Sequence, residues 1–232
     1  MQILGILGIL CVIVIGFQDR TGEQINYLDP HAMLIILGGS IAATLLGSKS
    51  KDFLKTFLHL GEILPFGKKF QGETRRMEEE RQKIESAWIE GRRGEVVQLG
   101  EQSQLVSTRM IVDQILQRAS NDVIENRFLT LCHKVSDDRE GAIHNWELMS
   151  RLGPSFGIVG TITGMVQMFK TFGTGGNVGT TLSLALLATL YGIVFGAGVA
   201  SPIMNFLQKI YHDRLNVIDR CQTTVKQLKT MG

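Results

Sequence analysis

The chain has 232 residues, with 24 basic and 22 acidic side chains, a net charge of +2, and 44% hydrophobic against 20% charged residues. So small a net charge argues against a nucleic-acid surface, and three scattered cysteines, Cys11, Cys132 and Cys221, argue against a disulfide framework or a zinc site. The averages are those of a soluble domain, but residues 2–17, 31–47, 154–169 and 171–208 carry no Asp, Glu, Lys or Arg, a segregation that points to membrane spans joined by aqueous segments.

The first predicted span is Gln2 to Phe17, 16 residues of Leu, Ile, Val and Gly, short for a hydrocarbon core of ~30 Å. It does not read as a signal peptide, because no basic region follows Met1 and no small-x-small cleavage site precedes Gln18-Asp19-Arg20. A polar loop, Asp19 to Asp29, leads to Pro30, which opens a second span, His31 to Gly47. That span is rich in Gly and Ala, and small residues let helices approach closely in lipid.

From Ser48 to Arg151 the chain is charged and predicted to be helical, with 17 basic and 17 acidic residues. Lys49, Lys51, Lys55, Lys68 and Lys69 crowd the exit of the second span. Between them Phe53-Leu54 and Phe57-Leu58 repeat at helical spacing, as in a helix lying along a membrane surface. Thr74 to Trp88 reads as a solvated helix, broken by Gly91 and Gly94. Met110 to Val135 places Ile111, Ile115, Ala119, Val123, Phe128 and Leu131 on a roughly helical face.

The third span is predicted to start at Pro154, since proline suits a first helical turn, and to run to about Phe169. Gly173 to Gly176 make a tight turn. The fourth runs from about Gly179 to Pro202, with apolar character as far as Leu207. The tail after it, Asn205 to Gly232, carries five basic and two acidic residues. Basic flanks face the cytoplasm, so the chain is expected to have four spans with both termini inside. Its parts are then 1–48 (spans one and two), 49–151 (a helical cytoplasmic domain), 152–208 (spans three and four) and 209–232 (a basic cytoplasmic tail).

No Walker loop, dinucleotide turn, HExxH or GxSxG occurs, and no catalytic, metal or cofactor site is expected. His31, His59, His133, His144 and His212 are scattered, as surface or packing residues. Ion transfer through lipid needs an ionisable or well-coordinated site, yet none of the four spans holds a carboxylate. They hold hydroxyls: Thr161 and Thr163 on the third, Thr180, Thr181, Ser183 and Thr189 on the fourth. If the protein conducts ions, another polypeptide must supply the titrating acid. The competing role for each hydroxyl is to bond its own backbone or to tighten helix packing.

Gly153-Pro154-Ser155-Phe156-Gly157-Ile158-Val159-Gly160-Thr161-Ile162-Thr163-Gly164-Met165-Val166 resembles the APxFGxxGTxxGL block of the MotA/TolQ/ExbB proton-channel family. Leu186-Leu187-Ala188-Thr189-Leu190-Tyr191-Gly192, with Ser201-Pro202-Ile203, resembles the family's TTLYG segment and closing proline. Two spans before one cytoplasmic insertion, with Leu28-Asp29-Pro30 and Leu37-Gly38-Gly39, are more similar to the flagellar stator branch than to the ExbB or TolQ branch. The resemblance covers all four spans and weakens in the cytoplasmic part.

The resemblance implies an all-α membrane protein assembled as a ring of five copies in the bacterial inner membrane. Two copies of a single-span, MotB-like partner would supply the ion-carrying Asp. The ring would turn proton or sodium motive force into rotation. It implies that Thr161 and Thr189 border the ion path and that Pro154 and Pro202 act as hinges near the cytoplasmic ends of their spans. Ala188 stands where sodium-type members tend to have a first threonine; losing an oxygen ligand disfavours sodium and favours protons. The torque residues of flagellar members follow an RxxGxxxLE-like pattern, which Glu90 to Glu101 matches loosely, Gly100 standing where Glu is expected. Arg92, Arg93 and Glu101 are the rotor-contact candidates. Two alternatives stay open: a channel energising another envelope process or a non-flagellar rotary motor, and a non-conducting scaffold.

Overall fold

A computed structural model describes residues 29–58, 68–172 and 178–231. Among these residues the chain is all helical: α1 (Pro30–Gly47), α2 (Ser50–Leu58), α3 (Lys68–Ile89), α4 (Arg93–Gln102), α5 (Val106–Leu116), α6 (Asn121–Phe172) and α7 (Val178–Thr230). The predicted first span, the loop before Asp29 and the turn at 173–176 lie outside the described residues. Two compact units are present. One is built from the chain up to Leu54 and Ile143–Asn205; the other from Lys55–Ala142 and Phe206–Gly232.

In the first unit, α1 starts where the sequence provides a cap. Asp29 is extended and its carboxylate accepts the His31 N–H at 2.9 Å, while Pro30 occupies the first helical turn, where its missing N–H is not needed. At the other end Ser48 becomes extended, and its hydroxyl meets the Thr44 carbonyl at 2.6 Å and the Asn145 side-chain oxygen. Ala32 and Ile36 of α1 are buried with Ala188 of α7, against Tyr191 and Phe195. Stretches of α1, α6 and α7 are long and apolar enough to cross a membrane.

The helix that carries the third predicted span does not begin at Pro154. That proline lies in the interior of α6, which starts 33 residues earlier at Asn121. Apolar content does not mark a helix end, because a charged helix and an apolar one can be the same helix in two solvents. The helix that carries the fourth predicted span likewise continues past Pro202: α7 passes through a π-helical stretch, Val194–Ala200, and continues as α-helix to Thr230.

The second unit packs α3, α5, the first part of α6 and the last part of α7 around one apolar core. Met77, Ile84, Ile111, Ile115, Phe128, Ile218, Val225 and Leu228 are all buried in it. Thr74 to Trp88 is therefore not merely solvated; Met77, Ile84 and Ala87 recur at helical spacing and turn inward. Gly91 ends α3 with φ +77°, a conformation that suits glycine, whereas Gly94 does not break a helix but sits in the first turn of α4. The face expected over Met110–Val135 is split between two helices, with a turn containing Arg118 at φ 47°.

Arg81 ties this unit together across long sequence distances. Its guanidinium donates to Glu78 at 2.8 Å, Glu85 at 2.7 Å and the Thr224 hydroxyl at 2.8 Å. The hydrogen bond from Arg81 holds the Glu78 carboxyl below the usual carboxylate range. Glu80 accepts the hydroxyls of Ser103 and Thr108, both at 2.6 Å, fixing the α4–α5 connection to α3. Cys221 is fully buried in the core, and burial pushes its thiol up to about 12.

Candidate functional site

The glycines of the third-span motif set how closely α6 and α7 approach. A methyl added at Gly157 would meet the Ala188 carbonyl at 3.1 Å, and one at Gly192 would meet the Gly153 carbonyl at 2.6 Å. Further along, a methyl at Gly164 would lie 2.5 Å from the Ala185 Cβ. The two backbones touch because no side chain stands between them, as small residues allow in lipid.

That proximity brings Thr161 and Thr189 together. The Thr161 hydroxyl lies 3.1 Å from its own-helix carbonyl at Gly157 and 3.0 Å from the Ala185 carbonyl of α7. It also meets the Thr189 hydroxyl directly, and Thr189 is 3.5 Å from the Gly157 carbonyl. Both side chains are half-buried. The site is thus a pair of hydroxyls among backbone carbonyls, each hydroxyl within hydrogen-bond distance of other protein oxygens.

Ala188, next to this pair, is 2% exposed and packs with Ala32 and Ile36 of α1. A methyl at Gly160 would fall 2.7 Å from its Cβ. The residue read from sequence as bearing on ion choice is a tight packing position here, and a larger side chain would have to displace α1 or α6.

Thr163 differs from Thr161. It is exposed and bonds its own helix at the Val159 carbonyl, 2.8 Å away. With Thr181, Gln167, Asp29 and His31 it lines a small cavity of about 70 Å³ whose remaining wall is apolar, from Ala32, Ile35, Leu184, Ala185 and Ala188. The sequence reading missed Asp29, His31 and Gln167 as neighbours. The hydroxyl positions on α6 and α7 were legible, but no periodicity relates them to α1.

The two prolines differ from the hydroxyls in what they touch. A methyl at Gly196 would lie 2.5 Å from the Pro154 ring and 2.5 Å from the Ser150 carbonyl. Ser150 is the residue whose carbonyl a proline at 154 cannot bond. Gly196 itself belongs to the π-helical stretch, so the irregular turn of α7 packs on the interrupted turn of α6. Pro202 is exposed, just beyond the end of that stretch.

The rotor-contact candidates lie in the second unit and are all exposed. Arg92 caps the turn into α4 and pairs with Glu90 at 2.7 Å and with Glu95. Arg93 lies over the Trp88 ring, 3.2 Å from its centre, a cation–π contact. Glu101 lies in the last turn of α4, away from the Arg92 cluster in sequence.

These observations define an all-helical protein whose apolar helices meet through glycine and carry paired hydroxyls. The model of the MotA/TolQ/ExbB proton channel family matches residues 100–220, just over half of the chain, and the protein belongs to that family. Motility protein A of Aquifex aeolicus (strain VF5) is 25% identical over 210 residues, covering 89% of this chain and 81% of that protein. Chemotaxis protein PomA of Vibrio alginolyticus is 24% identical over 208 residues, covering 88% and 79%. The structure of C. jejuni MotAB has the same fold, with a TM-score of 0.75 at 14% identity, over 98% of this chain and 88% of that one. So does the flagellar MotAB stator complex from Bacillus subtilis, with a TM-score of 0.74 at 19% identity and the same coverage.

Proposed function

We propose that this protein is the ion-conducting stator subunit of a flagellar motor. It works in the bacterial inner membrane with four spans and both termini in the cytoplasm. Five copies ring a single-span, MotB-like partner that brings an intramembrane Asp, and proton flow past that Asp turns the ring against a rotor. The observation that carries this reading is the membership in a proton channel family combined with near full-length similarity to Motility protein A and PomA. The apolar stretches fit it physically. Hydroxyls at Thr161 and Thr189 can hold water beside a path, but neither titrates in the physiological range, so the acid has to come from elsewhere.

The test is co-expression with the adjacent single-span protein in cells lacking their own stators. Rotation of tethered cells is expected, and a proton leak in vesicles, both lost when the partner's membrane Asp becomes Asn. A leak that survives that substitution overturns the reading.

A further inference from the structure

We infer that α1 carries a register switch: its π-helical turn, Leu34–Gly38, moves along the helix, and the residues it passes slide by one position against α6 and α7. A π turn holds one residue more than an α turn, and such single turns recur at functional sites. A residue that the extra one passes takes its neighbour's place, a rotation of about 100° with a shift of about 1.5 Å along the axis.

The π-helical turns of α1 and α7 differ in what holds them. In α7 the Ser201 N–H reaches five residues back to the Gly196 carbonyl, and Pro202 follows directly. Proline cannot donate to the Gly198 carbonyl, and its ring crowds that oxygen. The wide turn before it therefore has a covalent cause and a fixed place. The turn in α1 has no such pin. It ends in Gly38, and Gly39 and Ser40 follow. The Gly39 N–H lies between two acceptors, the Ile35 and Ile36 carbonyls. Two adjacent glycines weaken a helix, so the extra residue can pass there at low cost.

Two buried hydroxyls mark the present register as incompletely satisfied. Ser40 is fully buried, and its Oγ has no hydrogen-bond partner among the described residues. Thr44, one turn on, does bond back to the Ser40 carbonyl at 2.8 Å. The Tyr191 hydroxyl is also buried without a partner among the described residues, and its side chain packs on the cluster of Ile36, Ala32 and Ala188. An unmet hydroxyl in apolar surroundings is costly, so this register carries a penalty that a second one can relieve. A moved π turn opens the helical ladder at a new place, and a side chain can insert there.

The switch sits where α6 can drive it. The Phe156 ring lies against Gly39, where an added methyl would be 2.5 Å away, and Phe156 is two residues from Pro154. A bend of α6 at Pro154 presses on α1 just beyond its π turn. A part for α1 in the motor's motion deepens the stator reading and rests on it; the switch itself does not.

The experiment uses the purified full chain in neutral detergent, with isoleucine methyl groups labelled and followed by NMR relaxation dispersion, which detects exchange on the μs–ms scale. Exchange is expected at Ile36, within the π turn, and at Ile41, just beyond it, but not at Ile193, beside the pinned turn of α7. Deleting Gly38 takes the extra residue out of α1 and should abolish the exchange. Gly38→Ala keeps the chain length, meets nothing within 4 Å, and should preserve it. Ser40→Ala removes a hydroxyl that only the second register satisfies, so the minor population should fall roughly fivefold, as for one lost hydrogen bond. Should the deletion fail to fold, Ser40→Ala decides. Flat dispersion at Ile36 and Ile41, exchange that survives the deletion, or a minor population unchanged in Ser40→Ala overturns the switch. In tethered cells with the partner, the deletion variant should reach the membrane at normal levels and fail to rotate; normal rotation would remove the switch from the motor. A native chain that shows the exchange yet drives no rotation with its partner counts against the stator reading and leaves the switch standing.

Discussion

Thr161 and Thr189 hold each other across the α6–α7 contact, and this pairing makes their roles separable. Thr189→Val keeps the side-chain shape and removes one hydroxyl. Thr161 would still reach the carbonyls of Gly157 and Ala185 at 3.1 and 3.0 Å, so the loss should stay within the roughly 0.5–1.5 kcal/mol of an ordinary hydrogen bond. The proposed ring should therefore assemble normally. If Thr189 borders the ion path, proton flux in vesicles containing the partner falls several-fold; unchanged flux with normal assembly would return the residue to helix packing. In the second unit, Glu78 offers a pH-dependent counterpart. Its carboxyl titrates lower in the folded than in the unfolded chain because Arg81 bonds the charged form. That stabilisation is complete above the ordinary carboxylate pKa and is lost as pH falls from there through the depressed folded value. Melting of the purified protein between about pH 7 and pH 3 should therefore be less pH-dependent in Glu78→Gln than in the native chain, and Glu78→Gln should melt lower at neutral pH. An identical slope in both would remove Glu78 from the acid response.

Helices α6 and α7 illustrate what was legible in the amino-acid order and what was not. The hydroxyls and glycines could be read directly, since Gly153 to Val166 and Leu186 to Gly192 carry them in fixed spacing. Helix ends could not. Pro154 was read as a start because proline suits a first turn, yet α6 continues through it, as α7 continues through Pro202. In lipid, neighbouring helices can compensate for the missing N–H, so proline loses its value as punctuation. The core of the second unit was half legible: Ile111, Ile115 and Phe128 were on the predicted face, but Met77 and Ile84 were hidden among charges. Arg81 was missed because its partner Thr224 lies 143 residues away. At this scale the glycines give a paired prediction. Gly192→Ala puts a methyl 2.6 Å from the Gly153 carbonyl and 2.9 Å from the Gly157 Cα, where backbone cannot move aside cheaply, and should destabilise by roughly 1–3 kcal/mol. Gly72→Ala, inside α3 with nothing within 4 Å, should stabilise by roughly 0.5–1 kcal/mol. Thermal midpoints in detergent that shift in the same direction for both would contradict the close helix approach.

Across the whole molecule, α6 and α7 are the helices that contribute long stretches to both units, and each contains a proline within its run. Pro154 leaves the Ser150 carbonyl without its helical N–H donor, and Pro202 does the same for Gly198 four residues before it. At the first of these points α7 is π-helical and meets the break through Gly196, which comes within van der Waals range of both Ser150 and Pro154. A joint of two weakened turns in contact should bend at lower cost than two intact helices, whose ladders would have to open together. If the proposed motor uses that joint, stiffening it should separate stability from work. Pro154→Ala supplies the missing N–H for the Ser150 carbonyl and removes the ring carbons that Gly196 faces, so the variant introduces no clash there. The variant should be more stable by up to roughly 3 kcal/mol, the usual cost of an interior proline. It should reach the membrane at normal or higher levels, yet tethered cells carrying it should rotate more slowly or stop. Normal rotation with raised stability would make the break a fixed kink that the motor does not use.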